Sequence, residues 1–256
     1  MKNFFLEAGI NHFGKIREAD KILNFFFNSE LKNITFMIHT KKFYEHQKKR
    51  GINFKLSTDF YKKAIKESHL KKKRIGLSVC DDQSFKEVAD LKFDFYKLLG
   101  VGINNLKLIS MLKSKKKQIF ISTSFNASDQ NIKRCLNFFK NNTRLTLLHS
   151  PMTYSPNELN LSKINVMRKK FKLKVGYSNH NNDINNILVL SAYNPEAIFI
   201  YCKQRKKKNR VYPDHGHAFY FDELQTIIKK YSKYVMMHKK LKSIKKVKIF
   251  ANEFKI

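Results

Sequence analysis

Short apolar runs rich in β-branched and aromatic residues recur along the whole chain, each followed by a stretch of helical period. The runs are Phe4–Ile10, Ile34–Thr40, Arg74–Cys80, Phe93–Leu99, Gln118–Thr123, Leu145–Ser150, Lys174–His180 and Ala197–Cys202. Several are apolar almost throughout, the pattern of parallel strands buried on both faces. Between them lie amphipathic stretches. In Ser128–Lys140, Ile132, Cys135, Leu136 and Phe139 keep helical spacing, with Lys133 and Lys140 turned away. Asp222-Glu223-Leu224-Gln225 opens a last helix through Met236, its acids at the positive end of the dipole. Alternation of strand and helix implies right-handed βαβ units. Eight such units in 256 residues predict an α/β fold, a closed (β/α)8 TIM barrel rather than an open doubly wound sheet. No dinucleotide glycine fingerprint follows the first strand, which counts further against a Rossmann domain.

Composition agrees with one globular domain. Hydrophobic residues make up 42% of the chain, with 23 Phe and 11 Tyr. No apolar run reaches the ~18 residues of a membrane span. Glu7 falls where a signal peptide would carry its apolar centre, so a cytoplasmic protein is expected. Cys80, Cys135 and Cys202 lack zinc-type spacing and read as reduced thiols. The charge is less ordinary: 52 basic against 20 acidic residues give +32. Such a field attracts nucleic acid, acidic membrane or anionic metabolites. The lysines are scattered over most predicted helices, which reads as the composition of an AT-rich genome. The densest runs, Lys71–Arg74 and Arg205–Arg210, would steer an anion. No recognition-helix or RNA-binding signature is present, so nucleic acid is not the expected partner.

A barrel places its chemistry at the C-terminal ends of its strands. Those ends carry Glu7, Asn11 and His12; Thr35 and Met37; Ser78 and Asp81; Lys97; Ser122 and Thr123; His149 and Ser150; Ser178, Asn179 and His180; and Cys202 and Lys203. Singly, a strand-end serine is usually a backbone cap and a histidine a structural hydrogen-bonding group. Converging on one rim, they suit a phosphorylated or carboxylated small molecule.

At these positions the chain resembles the sialic acid (N-acetylneuraminate) synthase family, which includes the legionaminate and pseudaminate synthases. The resemblance rests on Glu7-Ala-Gly-Ile-Asn11-His12-Phe-Gly14, Lys97-Leu-Leu-Gly-Val-Gly-Ile-Asn-Asn105-Leu106 and Ile121-Ser-Thr123. It continues through Leu147-Leu-His-Ser150 with Tyr154 and Asn160-Leu161, Val175-Gly-Tyr-Ser-Asn-His180, and Pro213-Asp-His215 with Phe221-Asp-Glu-Leu224. The motifs appear in family order over essentially the whole chain. The resemblance implies a transferase of carbohydrate biosynthesis that condenses phosphoenolpyruvate with an N-acetylated amino sugar, with a divalent metal, Mn²⁺ or Mg²⁺, polarising the aldehyde. It implies Glu7 as an active-site acid, Lys97, Ser122 and Ser178 as phosphoenolpyruvate contacts, Tyr154 and Asp214 at the sugar, His180 as a metal ligand, and a homodimer.

The site also departs from the family pattern. The second-strand lysine is replaced in Ile34-Thr35-Phe36-Met37, Gly100 stands for a serine and Gly102 for an acid, and Met152 for an asparagine. The eighth-strand Glu-Lys-His reads Tyr201-Cys202-Lys203, so the second metal histidine is replaced by Lys203, or by Cys202 if the alignment shifts by one. The expected domains are a barrel over 1–238 and a basic tail over 239–256, without the family's antifreeze-like domain. Two functions compete: a divergent condensing enzyme, and an inactive barrel that binds an anionic sugar or a partner protein.

Overall fold

The computed structural model describes residues 4–125, 127–139, 144–204 and 211–243. Eight parallel strands form the barrel: β1 (Phe4–Glu7), β2 (Asn33–Ile38), β3 (Arg74–Val79), β4 (Phe95–Leu98), β5 (Gln118–Ser122), β6 (Leu145–His149), β7 (Lys174–Ser178) and β8 (Ile198–Lys203). They neighbour one another in sequence order, and β1 pairs in parallel with β8, Leu6 opposite Ile200, which closes the sheet. A short ninth strand, β9 (Ala218–Tyr220), adds to the upper end of β8 with Tyr201 opposite Ala218.

The helices are α1 (Ile16–Asn28), α2 (Lys41–Lys49), α3 (Thr58–Leu70), α4 (Asp82–Lys86), α5 (Leu106–Ser114), α6 (Asp129–Phe138), α7 (Lys163–Phe171), α8 (Ile184–Tyr193) and α9 (Phe221–Ser243). Side-chain oxygens start several of them: Thr40 accepts from the Phe43 amide, Ser57 from Phe60, Asn105 from Leu108 and Ser128 from Asn131. The last helix runs past the expected Met236 to Ser243, across the expected boundary at 238. Residues 244–256 of the expected tail, and the Arg205–Arg210 run, lie outside the described residues.

Strand alternation divides the core in two. Phe5, Phe95, Phe120, Leu148, Ala197 and Phe199 fill the barrel interior. The Phe5 ring stacks on Phe199 at 4.5 Å and meets Phe120 edge-on at 4.8 Å. Residues of the other parity, among them Leu6, Ile34, Leu77, Ile121 and Ile200, pack outward against the helices. The aromatic plug leaves a polar layer only at the next level up, towards the C-terminal ends. β1 is shorter than expected because Gly9 adopts φ +52, a left-handed conformation that turns the chain away from the sheet.

Candidate active site

Two residues above the plug the inward positions become polar on most strands, while β8 carries Tyr201 there, in register with Glu7. Glu7, Thr35, Ser78, Lys97, Ser122 and Ser178 are all buried there. The Lys97 ammonium donates to Glu7 Oε1 and Oε2, each at 2.7 Å, and to Ser178 Oγ at 2.9 Å. An ammonium has three N–H donors, so all three are engaged within the protein. Its Nζ also lies over the Phe199 ring at 4.7 Å. Burial pulls the Lys97 pKa below its ordinary value, while Glu7 opposes that shift. Ser122 sits in a separate hydroxyl chain, 2.9 Å from Ser150 Oγ and 3.1 Å from Ser124 Oγ. Thr35 and Ser78 pair at 3.1 Å. The expected anion cradle of Lys97, Ser122 and Ser178 is therefore divided: Lys97 bonds Ser178, and Ser122 bonds other serines.

Above this layer stands a ring of aromatic and imidazole groups. His180 lies 5.8 Å from the Tyr201 ring and 5.4 Å from His217, and Tyr201 meets His217 edge-on at 4.5 Å. Tyr154, 66% exposed, stacks over His217 at 6.3 Å. Asp214 holds the loops together: its Oδ2 accepts from the Ile10 amide at 3.1 Å, and its Oδ1 lies 3.6 Å from His217 Nε2. Asn11 completes the clamp, donating to the Cys202 carbonyl at 2.8 Å and accepting from the Asp214 amide at 2.9 Å. A Cβ at Gly9 would stand 2.2 Å from Asp214 Oδ2, so glycine is required there for spacing as well as for its φ. His180 is kept neutral: burial, then Lys97 and His217, hold its pKa well below the usual histidine value. Its Nδ1 is buried without a hydrogen-bond partner.

Sequence reading missed His217. The available signal was its position three residues after Asp214, which the resemblance places at the sugar. His149, by contrast, donates through Nε2 to the Leu159 carbonyl at 2.8 Å and anchors the loop after β6.

The substituted positions behave differently from one another. Cys202 points out of the barrel into the helix-side core, because Phe199 and Tyr201 occupy the inward parity of β8. Burial also pushes its thiol pKa upward, so Cys202 does not face the mouth, where the one-residue shift would need it. The Lys203 ammonium donates to the His215 carbonyl at 2.9 Å and lies 4.4 Å from the Tyr220 ring. At Gly102 a Cβ would stand 2.9 Å from both Cα and the carbonyl oxygen of Cys80, so the backbone just beyond β3 occupies the place of a side chain. At Gly100 a Cβ would meet Ser124 O at 2.1 Å and Ser124 Oγ at 2.5 Å. The missing serine side chain is thus what admits the Ser124 loop.

Among the described residues, no group of three or more His, Cys, Asp or Glu side chains is placed to hold a metal ion. With Lys203 bound to the β9 loop, the residues present do not fit the divalent metal that the resemblance implies. An open cavity of about 330 Å³ remains beside the axis, at the ends of β5 and β6. Thr123, Ser124, Ser150, Thr153 and Asn160 line it together with the charged Glu158 and Lys163, and Phe125 and Met152 contribute apolar surface.

Comparison with known proteins agrees with this architecture. The chain is 27% identical over 245 residues to the N,N'-diacetyllegionaminic acid synthase of Campylobacter jejuni, spanning 86% of this chain and 72% of that protein. Its fold matches the N-acetylneuraminic acid (sialic acid) synthetase of Leptospira borgpetersenii with a TM-score of 0.82 at 19% identity, covering 99% of this chain and 89% of that one. A spore coat polysaccharide biosynthesis protein of Bacillus subtilis matches with a TM-score of 0.79 at 18% identity, over 93% of this chain and 70% of that one. The NeuB family itself matches residues 17–243, nearly the whole of the described barrel, and the chain belongs to that family of sialic-acid-synthase-type sugar biosynthesis proteins.

Proposed function

We propose that this barrel serves nonulosonic (sialic-acid-type) sugar biosynthesis by binding an N-acetylated amino sugar, without condensing it with phosphoenolpyruvate. The observation that carries the reading is the saturation of Lys97. Its three donors are held by Glu7 and Ser178, so a phosphate must displace a buried carboxylate to reach it. Proton transfer lacks its acid, because Gly102 has backbone where a carboxylate would extend. The aldehyde lacks its Lewis acid, because the metal's residues do not fit. What persists is a cavity walled by hydroxyls, Asn160 and the charged Glu158 and Lys163, with Phe125 and Met152 at its edge, chemistry that takes a polyol carrying an apolar acetyl group.

A second reading, active condensation, is favoured by Glu7, Lys97, Ser122, Ser178 and His180 all facing one mouth. One experiment separates the two. The protein is incubated with phosphoenolpyruvate, N-acetylmannosamine and Mn²⁺, and phosphate release is followed. The expected result is release no faster than without protein, together with a sugar-dependent rise in Tm. Phosphate release that needs both the sugar and Mn²⁺ and exceeds the rate without protein would establish the second reading instead.

A further inference from the structure

The N-terminal face of the barrel, opposite the mouth, is built from the loops that enter the strands. Lys71, Lys72, Lys116, Lys117, Arg144 and Lys172 are all exposed on it. They precede β3, β5, β6 and β7: strand order makes the β5, β6 and β7 entries adjacent, and the β3 entry lies one strand further on, past the β4 entry with its exposed Asp90 and Lys92. Lys72, Lys116 and Lys172 have φ of 53, 51 and 51, the left-handed conformation that glycine or asparagine takes most readily at a helix end. The same chain uses Asn194, φ 44, at the matching end of α8. Lysine and asparagine codons are equally AT-rich, so coding bias does not explain lysine at the other three ends.

Apolar side chains stand among these charges. Leu70, the last residue of α3, is 74% exposed, and Phe138, the last of α6, is 38% exposed. Tyr231 of α9 meets Phe4, the first residue of β1, at 5.0 Å, and α9 continues beyond that level with Met236 and Met237 exposed. Cations interleaved with projecting apolar side chains suit the boundary between lipid headgroups and acyl chains. A nucleic acid is served by cations along a groove or by aromatic platforms, and leaves Leu70 and the methionines without a role. We infer that the N-terminal face docks on an anionic lipid bilayer, leaving the barrel mouth turned towards the solvent. No described helix is long and apolar enough to cross a membrane, so the contact is a surface one.

The test is co-sedimentation of the full chain with vesicles of phosphatidylcholine alone, or of phosphatidylcholine and phosphatidylglycerol in equal parts. Binding is expected only to the anionic vesicles and should fall steeply with salt. Each cation near an anionic leaflet strengthens binding about fivefold, so Lys72→Asn, Lys116→Asn and Lys172→Asn combined should weaken it roughly a hundredfold. Asparagine is at ease at these φ values, so that triple variant keeps its fold. Leu70→Ser with Phe138→Ser should weaken binding at unchanged charge. A control triple, Lys42→Gln, Lys49→Gln and Lys133→Gln, removes equal charge from exposed positions on α2 and α6 and should leave affinity within about twofold. An equal loss in the control would assign binding to the diffuse field and overturn the docking face. Preference for a DNA duplex or an RNA over the anionic vesicles would overturn it as well.

Discussion

Replacing Lys97 by Met leaves Glu7, 2% exposed, without a counter-charge, and replacing Glu7 by Leu does the same to Lys97 at 1% exposure. Breaking one side of a buried ion pair costs about 3–5 kcal/mol. Ser178 also loses its donor in Lys97→Met, which adds about 1 kcal/mol. Against a total stability of about 5–15 kcal/mol, either single variant should be close to unfolding. Removing both charges together leaves no orphan. A buried pair exchanged for apolar residues is roughly neutral or stabilising, so Glu7→Leu/Lys97→Met should lie within about 2 kcal/mol of the parent. The coupling energy should then be about 4 kcal/mol or more. Urea unfolding at neutral pH of the four proteins measures it. Additive single effects would refute the pairing, and with it the claim that Lys97 is saturated. The same reasoning predicts that phosphoenolpyruvate leaves the parent's Tm unchanged but raises that of Glu7→Gln, where the Lys97 donors are less tightly held.

Three further outcomes follow from individual side chains. His12 Nδ1 accepts from the Gly14 amide at 2.9 Å, and burial lowers its pKa from 6.5 to about 4. The unfolded chain therefore takes up the proton first as pH falls. The stability His12 contributes is complete above pH 6.5 and falls by about 3 kcal/mol on the way down to pH 4. Urea midpoints across that window should fall less steeply in His12→Asn, and an unchanged slope would clear His12 of the effect. Gly102→Ala should destabilise by about 1–3 kcal/mol through its contact with Cys80, and Gly102→Glu by more, so a neutral Gly102→Ala would show that the close approach is not real. Dialysed protein titrated with Mn²⁺ or Mg²⁺ should bind less than one ion per chain; tight stoichiometric binding abolished by His180→Ala would reinstate the metal.

The eight barrel strands were legible because parallel strands buried on both faces are apolar almost throughout and recur at regular intervals between amphipathic stretches. β9 was not, since Ala218–Tyr220 is short and forms only because the loop beyond β8 doubles back along it. Strand ends were overrun for a related reason: Ile10 and Thr40 carry strand-forming side chains, yet Gly9 turns the backbone first and Thr40 caps α2. Within the site, inward parity alone places Glu7, Lys97, Ser122 and Ser178 at the mouth. The same parity would have turned Cys202 outward had it been followed along Ala197, Phe199 and Tyr201. Their partnerships were hidden. Glu7 and Lys97 are 90 residues apart, and whether an ammonium meets a carboxylate or a ligand depends on distances that spacing does not encode. His217 was hidden likewise, because a loop folds it over Tyr201 and no periodicity governs loops.

The substitutions at the mouth are best understood through its charge. A site made for a phosphorylated substrate and a divalent ion must carry groups that remain unneutralised until those ligands arrive, and buried unpaired charge is expensive. Relative to the pattern it resembles, this chain has Thr35 for a second-strand lysine, Tyr201 for an eighth-strand acid, Lys203 for a metal histidine and Gly102 for a fourth-strand acid. The losses take away both signs. What is left in the polar layer is one buried anion and one buried cation in contact, with Tyr201, its phenol pKa raised by burial, standing neutral above them. Thr35, Ser78 and Ser122 satisfy one another or neighbouring hydroxyls. On the proposed reading, a layer balanced in this way gains nothing from a metal ion and must be broken to admit a phosphate. The same balance allows it to stay closed and folded when no ligand is bound. On the proposed reading a neutral sugar asks nothing of that layer, and the hydroxyls, Asn160, Glu158 and Lys163 of the cavity beside the axis would hold it without disturbing the pair.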